Sequence, residues 1–238
     1  MIQGLSVLAV VPARGGSKGV PLKNLREVAG RSLVARVGDV IADVPEIDRA
    51  VVSTDHAGIA KAAEEAGIAA PFMRPENISG DFIGDLDVLT HALQASEEID
   101  GRRYDIVVML QPTSPLRTAA QVSATIRMLV EGNWDSVWTV SPSDSKAHPL
   151  KQLKVADGAM DYYDPAGSQI IARQQMGTVY HRNGIAYALK SECLLGQRTI
   201  KGQRSGALII EGHHVSIDTE WDFKLVEFVL EHMGPEAR

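Results

Sequence analysis

Val10-Val11-Pro12-Ala13-Arg14-Gly15-Gly16-Ser17-Lys18-Gly19-Val20-Pro21-Leu22-Lys23-Asn24 decides the reading of this chain. It continues the apolar run that begins at Leu5, and a short continuous apolar run breaking into glycines is the pattern of a buried strand feeding a flexible loop. Three cations, Arg14, Lys18 and Lys23, stand in that loop among Gly15, Gly16 and Gly19. Glycine lets backbone N–H groups approach a polyanion closely, and Arg and Lys neutralise its charge, so the loop suits a triphosphate. The spacing is neither G-x-x-x-x-G-K-[ST] nor G-x-G-x-x-G, which removes the usual support for kinase, ATPase and dinucleotide-dehydrogenase readings.

Working outward, Leu33 to Ile41 has helical spacing and Arg49 to Ser53 reads as a second strand. Asp55 is then placed to cap the Ala-rich helix Ile59 to Ala66, which stops at Gly67. Asp87 to Ala95 is helical and Ile106 to Leu110 is an apolar strand running into Gln111-Pro112-Thr113-Ser114-Pro115. Helix from Thr118 or Ala119 to Glu131 and strand from Ser136 to Val140 follow. Strands alternating with helices predict an α/β, three-layer Rossmann-like fold with a mainly parallel sheet, whose ligands bind beyond the carboxyl ends of the strands. Between Ser141 and Tyr180 the pattern gives way to short polar pieces with turns at Asp157-Gly158 and Asp164-Pro165, a hairpin-type excursion of the kind that serves an oligomer interface. Ile185 to Leu189 and Ala207 to Ile210 return to strand character and Trp221 to Met233 is an amphipathic closing helix, all within one domain, 1–238.

Bulk properties narrow the classes. With 238 residues, 45% hydrophobic and 23% charged, the chain can bury one substantial core. Its 24 Lys and Arg against 30 Asp and Glu give a net charge of -6, which argues against nucleic-acid binding through a basic surface, so an anionic ligand must be held by a few concentrated cations. Cys193 has no cysteine to pair with and reads as a buried, inert thiol of a reducing compartment. No apolar run approaches the roughly 20 residues that cross a bilayer, and the start lacks the basic residues and cleavage site of a signal peptide; the expectation is a cytoplasmic protein. His213-His214 are adjacent on an extended run and point to opposite faces, a poor chelate for zinc.

The glycine-rich loop resembles the A-R-x-x-S-K-G-x-x-x-K-N pattern of acylneuraminate cytidylyltransferases, also called CMP-sialic acid synthetases. Further matches follow in order: Val52-Ser53-Thr54-Asp55, Arg74-Pro75-Glu76, Leu110-Gln111-Pro112-Thr113-Ser114-Pro115-Leu116-Arg117, His148-Pro149-Leu150-Lys151, Arg173-Gln174-Gln175, Asn183-Gly184 and Ile217-Asp218-Thr219-Glu220. The resemblance implies an enzyme that joins CMP from CTP to an acidic nine-carbon sugar, releasing pyrophosphate, with Mg²⁺ as its metal and a homodimer as its state. It puts Arg14, Gly15, Lys18, Lys23 and Asn24 around the phosphates and Arg74, Gln111, Pro112 and Thr113 near base and ribose. Lys151, Arg173, Gln174, Asn183 and Gly184 fall on the sugar side. Arg14, Lys18 and Asp218 become the catalytic set, and Asp218 the metal ligand.

Residue chemistry agrees on two counts. A sugar carboxylate needs Arg or Lys, and a carboxylate facing phosphates at a strand end, as Asp218 is after Val215 to Ile217, is a hard oxygen ligand for Mg²⁺. Asp222 reads as a helix-start residue. Where the family commonly reads D-I-D-T-E this chain has Ser216-Ile217-Asp218-Thr219-Glu220, which favours one metal on Asp218. Arg182 stands one residue before Asn183 where some relatives have Arg two before, so along a strand His181 takes that face. Gly80 to Asp85 lacks the small hydroxyl residues that many relatives carry near the cytidine, so the resemblance implies no role for that run. Alternatives within the class are a legionaminic, pseudaminic or Kdo-type acceptor or another NTP; outside it, a non-catalytic nucleotide-binding module.

Overall fold

The computed structural model describes residues 1–212 and 214–232. His213 and Met233 lie outside that set. In chain order the strands are β1 (Val7–Pro12), β2 (Glu27–Val28), β3 (Arg31–Ser32), β4 (Arg49–Ser53), β5 (Ile106–Met109), β6 (Ser136–Pro142), β7 (Leu153–Ala156), β8 (Ala159–Tyr162), β9 (Tyr180–Lys190) and β10 (Ser205–Ile209). The helices are α1 (Leu33–Ala42), α2 (Ala57–Glu65), α3 (Asp85–Asp100), α4 (Ala119–Glu131), α5 (Ser191–Leu195) and α6 (Glu220–His232).

One six-stranded sheet has the order β10-β6-β9-β5-β1-β4. The pairs β1–β4, β1–β5 and β6–β10 are parallel, and β9 runs antiparallel between β5 and β6. The first residues of β9 therefore share the edge formed by the carboxyl ends of the other five strands.

Period-two alternation in β1 divides the core between the two faces of the sheet. Val7, Ala9 and Val11 point to the side packed by α1, α2 and α4 through Val34, Val37, Ile59, Ala63, Val122 and Ile126. Leu8 and Val10 point to the other side, against Leu89, Ala92 and Leu93 of α3 and Cys193 and Leu194 of α5. These five β1 residues are fully buried, which is why the strand reads as a continuous apolar run; each Val or Leu among them contributes about 1.5–3 kcal/mol. A third apolar cluster, Val20, Val28, Leu33, Leu116, Ile217, Phe223, Val226 and Val229, ties α6 to the loop after β1. Cys193 is buried, donates to the Thr199 carbonyl at 3.1 Å, and burial pushes its thiol up to about 11.

Two local expectations are corrected. His56 caps α2, its Nδ1 accepting from Gly58 N at 3.1 Å, because Asp55 is drawn away to accept from Gly15 N at 2.7 Å. Among the described residues Val215 to Ile217 pairs with no strand: its backbone is tied to the core by Ile217 N donating to Thr113 O at 2.8 Å, and burial of Ile217 in the third cluster, rather than sheet pairing, holds the segment. Thr118 caps α4 as its sequence suggests, reciprocally with Gln121.

Residues 141–180 form the β7–β8 hairpin and short 3₁₀ turns. Val155 pairs with Met160, and both are largely exposed at 70% and 73%.

Candidate active site

The loop after β1 is held from within and without. Asn24 is buried and donates from Nδ2 to the Arg14 carbonyl at 3.0 Å, so its amide shapes the loop. At Gly19 a Cβ would stand 2.4 Å from the Asp218 carbonyl oxygen, so only glycine lets the loop lie against the segment before α6. Lys23 closes that contact, donating from Nζ to Ile217 O at 2.6 Å and to Asp218 Oδ1 at 2.9 Å. Lys23 is 13% exposed and Asp218 73%, so the lysine is a fixed anchor and the carboxylate faces solvent.

These groups border a cavity of about 660 Å³ at the carboxyl ends of β1, β4 and β5. Arg14, Lys18, Gly19, Lys23, Ser216 and Asp218 line it together with Arg74, Asp85, Val88, Gln111, Pro112 and Thr113. Arg74 is buried, its Nε on Ser53 Oγ at 3.0 Å, and burial lowers its pKa to about 10, leaving it charged at neutral pH. A cavity of about 680 Å³ along α4 is lined by Ala119, Ala120, Ala124, Met128 and Trp134 with Arg127, without a converging set of cations.

The residues that sequence reading missed are acidic. Asp81 bridges the two phosphate-loop cations, Oδ1 to Arg14 Nη2 at 2.9 Å and Oδ2 to Lys18 Nζ at 2.5 Å. The hydrogen bond from Lys18 holds its carboxyl below the usual range. Asp85 opens α3 on the cavity wall, half-buried, and burial raises its pKa against the opposing charges of Arg182 and Arg74. Three cations gathered in one loop without an acidic neighbour in sequence are the only available signal that a distant carboxylate closes on them.

Asp222, in the first turn of α6, is occupied, Oδ2 accepting from Asp218 N at 2.9 Å and Thr219 N at 2.7 Å. Among the described residues no three His, Cys, Asp or Glu side chains group as a metal cage. The local donor set, one exposed carboxylate of Asp218 with Ser216 on the same cavity, fits a Mg²⁺ that takes its other ligands from phosphate oxygens and water.

Of the remaining sequence-predicted site residues, Gly15 is turned to Asp55, and Lys151, Arg173 and Gln174 are exposed on the excursion and do not line this cavity. Asn183 is buried, its side chain engaged by Thr139 Oγ1 at 2.6 Å and donating to Ser141 Oγ at 3.0 Å. Gly184, at φ 70°, donates its N–H to Tyr187 OH at 3.0 Å. Arg117, buried, donates to Ile185 O at 2.8 Å, Gly184 O at 2.9 Å and the Gln111 carbonyl, locking the Gln111 turn to β9; burial pushes its pKa down to about 9. His181 pairs with Ser143 Oγ at 3.1 Å, while Arg182 lies over the Trp138 ring at 5.3 Å.

A family model described as Cytidylyltransferase matches residues 8–232. The chain is 28% identical over 233 residues to the post-translational flagellin modification protein B of Campylobacter coli, covering 98% of each. To the CMP-N,N'-diacetyllegionaminic acid synthase of Legionella pneumophila it is 27% identical over 230 residues, 95% of this chain and 97% of that one. Its fold is similar to the solved CMP:2-keto-3-deoxy-manno-octonic acid synthetase complexed with CTP, at a TM-score of 0.70 and 17% identity, over 96% of this chain and 99% of the other.

Proposed function

Since the chain belongs to the cytidylyltransferase family, we propose that it transfers CMP from CTP to the anomeric hydroxyl of an acidic nine-carbon sugar of the sialic or legionaminic type, releasing pyrophosphate. The observation that carries this is the convergence of Arg14, Lys18, Lys23, Arg74 and Asp218 on one cavity at the strand ends. The name of the Legionella relative supports the acceptor class.

Little covalent work falls to the protein in such a transfer; positioning and charge stabilisation do most of it. Arg14 and Lys18 take the β- and γ-phosphates and stabilise charge on the departing pyrophosphate, once those oxygens replace the Asp81 carboxylate. Lys23, anchored on Ile217 O, orients Asp218 and adds a positive charge beside the α-phosphate. Asp218 would hold Mg²⁺, which when bound supplies Lewis-acid polarisation of the phosphate. Buried Arg74, with its charge retained, faces the nucleoside.

A homodimer completes the reading. The exposed apolar face of the β7–β8 hairpin needs covering, since an isolated two-stranded hairpin is marginal in water. A partner copy is its proposed cover, bringing Lys151, Arg173 and Gln174 to the neighbour's sugar carboxylate. The proposed place of action is the cytoplasm, in keeping with the single buried thiol of Cys193.

Pyrophosphate release measured with purified protein, each of four NTPs and a panel of nonulosonic acids tests the proposal. Turnover confined to CTP plus a nine-carbon acid is expected, and no release with any pair would refute it.

A further inference from the structure

Asp85 is an unusual lining for a cavity that is to hold a triphosphate. Among the described residues no hydrogen bond or ion pair engages its carboxylate, although the side chain is half-buried and lines the cavity beside Val88 and Gln111. Its position at the start of α3 suits the helix dipole, but Asp87 offers the same charge from an exposed site, so the dipole does not require a second carboxylate turned into the cavity. A partly desolvated carboxylate calls for hydrogen-bond donors.

The ligand's own chemistry limits where those donors come from. Phosphates and the carboxylate of an acid sugar are repelled, and Asp85 lines the cavity together with Arg74, the residue assigned above to the nucleoside, which makes the nucleoside rather than the acceptor's hydroxyls the donor. Arg74 and Asp85 line the same cavity, Arg74 offering donors only and Asp85 accepting only, while Arg182, outside that lining, also acts on the Asp85 charge. Cytosine presents the complementary order along its edge, acceptors at O2 and N3 and then the N4 amine as a donor, and an acidic side chain accepting from that amine is an established pairing. Uracil reverses it, setting O4, an acceptor, against the carboxylate. Val88, Ile83 and Pro112 line the same cavity as apolar surfaces for a flat ring.

We propose that Asp85 is the specificity residue of the nucleotide site: its carboxylate accepts from the exocyclic amine of cytosine and excludes uracil. This rests on the nucleotidyl-transfer reading above. It adds a base-selecting carboxylate to Arg74, Gln111, Pro112 and Thr113, which the sequence resemblance puts near base and ribose.

The test compares wild type, Asp85→Asn and Asp85→Ala by calorimetric binding of CMP, UMP and dCMP and by pyrophosphate release from CTP, UTP and dCTP, with unfolding midpoints as the control for folding. Wild type should prefer CTP by at least about a hundredfold, since sites built to hydrogen-bond a substrate group reach about ten-thousandfold against an analogue that lacks it. Asp85→Asn, which can donate to O4, should bring the two pyrimidines within about tenfold. Asp85→Ala should weaken CMP binding and lose most of the preference while folding normally. A cytosine preference unchanged in both variants overturns the inference. So does loss of ribose over deoxyribose selection with base selection intact, which would put Asp85 on the sugar ring. Wild type that binds no nucleotide fails the underlying reading instead, and wild type that binds CMP and UMP equally fails only the inference.

Discussion

Replacing Gly184 by alanine tests how the sheet holds the Gln111 turn. Gly184 sits at φ 70°, where a side chain costs about 1–2 kcal/mol. Its Cβ would meet Gln111 Oε1 at 2.6 Å and Ser114 Oγ at 2.7 Å, so both must move. Ser114 Oγ now donates to the buried Asn183 carbonyl at 2.8 Å, and losing that bond adds about 0.5–1.5 kcal/mol. The total, about 1.5–3.5 kcal/mol, corresponds to a fall in Tm of about 3–14 °C for a chain of this size. Gln111 swings off the cavity wall, so CMP binding should weaken along with stability. Gln111→Ala is the control: it should keep the wild-type midpoint and show a comparable loss of affinity. Chemical unfolding and calorimetry measure the two effects separately. A Gly184→Ala protein with wild-type midpoint and CMP affinity would refute the reasoning.

Asp218→Ala should lower turnover by at least about a hundredfold with folding intact, because the carboxylate is exposed and its removal takes away the hard ligand of the proposed metal site; activity within threefold of wild type removes it from that site. Ser216→Asp should tighten the apparent Mg²⁺ requirement in a metal titration, and no change would show that Ser216 does not face the metal. Lys18→Ala should raise the CTP requirement and depress turnover together, with steady-state kinetics as the check; an effect on the acceptor's KM alone would move the loop to the sugar. Glu46→Gln tests stability instead: burial pushes the Glu46 carboxyl up, but bonds from Ser123 and Arg127 overcome it and hold the pKa below the ordinary value. Its stabilisation, about 1–3 kcal/mol, is therefore present above the ordinary glutamate range and lost as the pH falls through the lowered value, so the difference in unfolding midpoint between wild type and variant should vanish in acid.

The sheet was legible because its central strands β1 and β5 are buried on both faces and written as apolar runs, and edge strand β4 keeps a short Val51-Val52 core, so local periodicity recovers all three to within a residue or two. What escaped depends on partners far away in sequence. Asp55 looks like a cap until Gly15, 40 residues earlier, claims it. Asp81 and Asp85 lie in a stretch without apolar rhythm, and their meaning comes from Arg14, Lys18 and Arg74 brought over them by the fold. The cationic half of the site could be read because glycines and cations there follow one strand. Its acidic half could not, because carboxylates that close on a loop from another element leave no spacing to recognise. Asn183 and Arg117 belong to a third class, polar residues whose side chains the sheet itself consumes at a bulge between β6 and β9.

The most direct test follows the α-phosphorus. CTP labelled at the α-phosphate, and in a parallel reaction at the γ-phosphate, is incubated with the enzyme, Mg²⁺ and a sialic or legionaminic acid, and the products are separated. The account predicts the α label in a sugar nucleotide and the γ label in pyrophosphate, both abolished in Asp218→Ala. A γ label transferred to the sugar, or an α label that stays in free nucleotide while the acid is left unchanged, would contradict it.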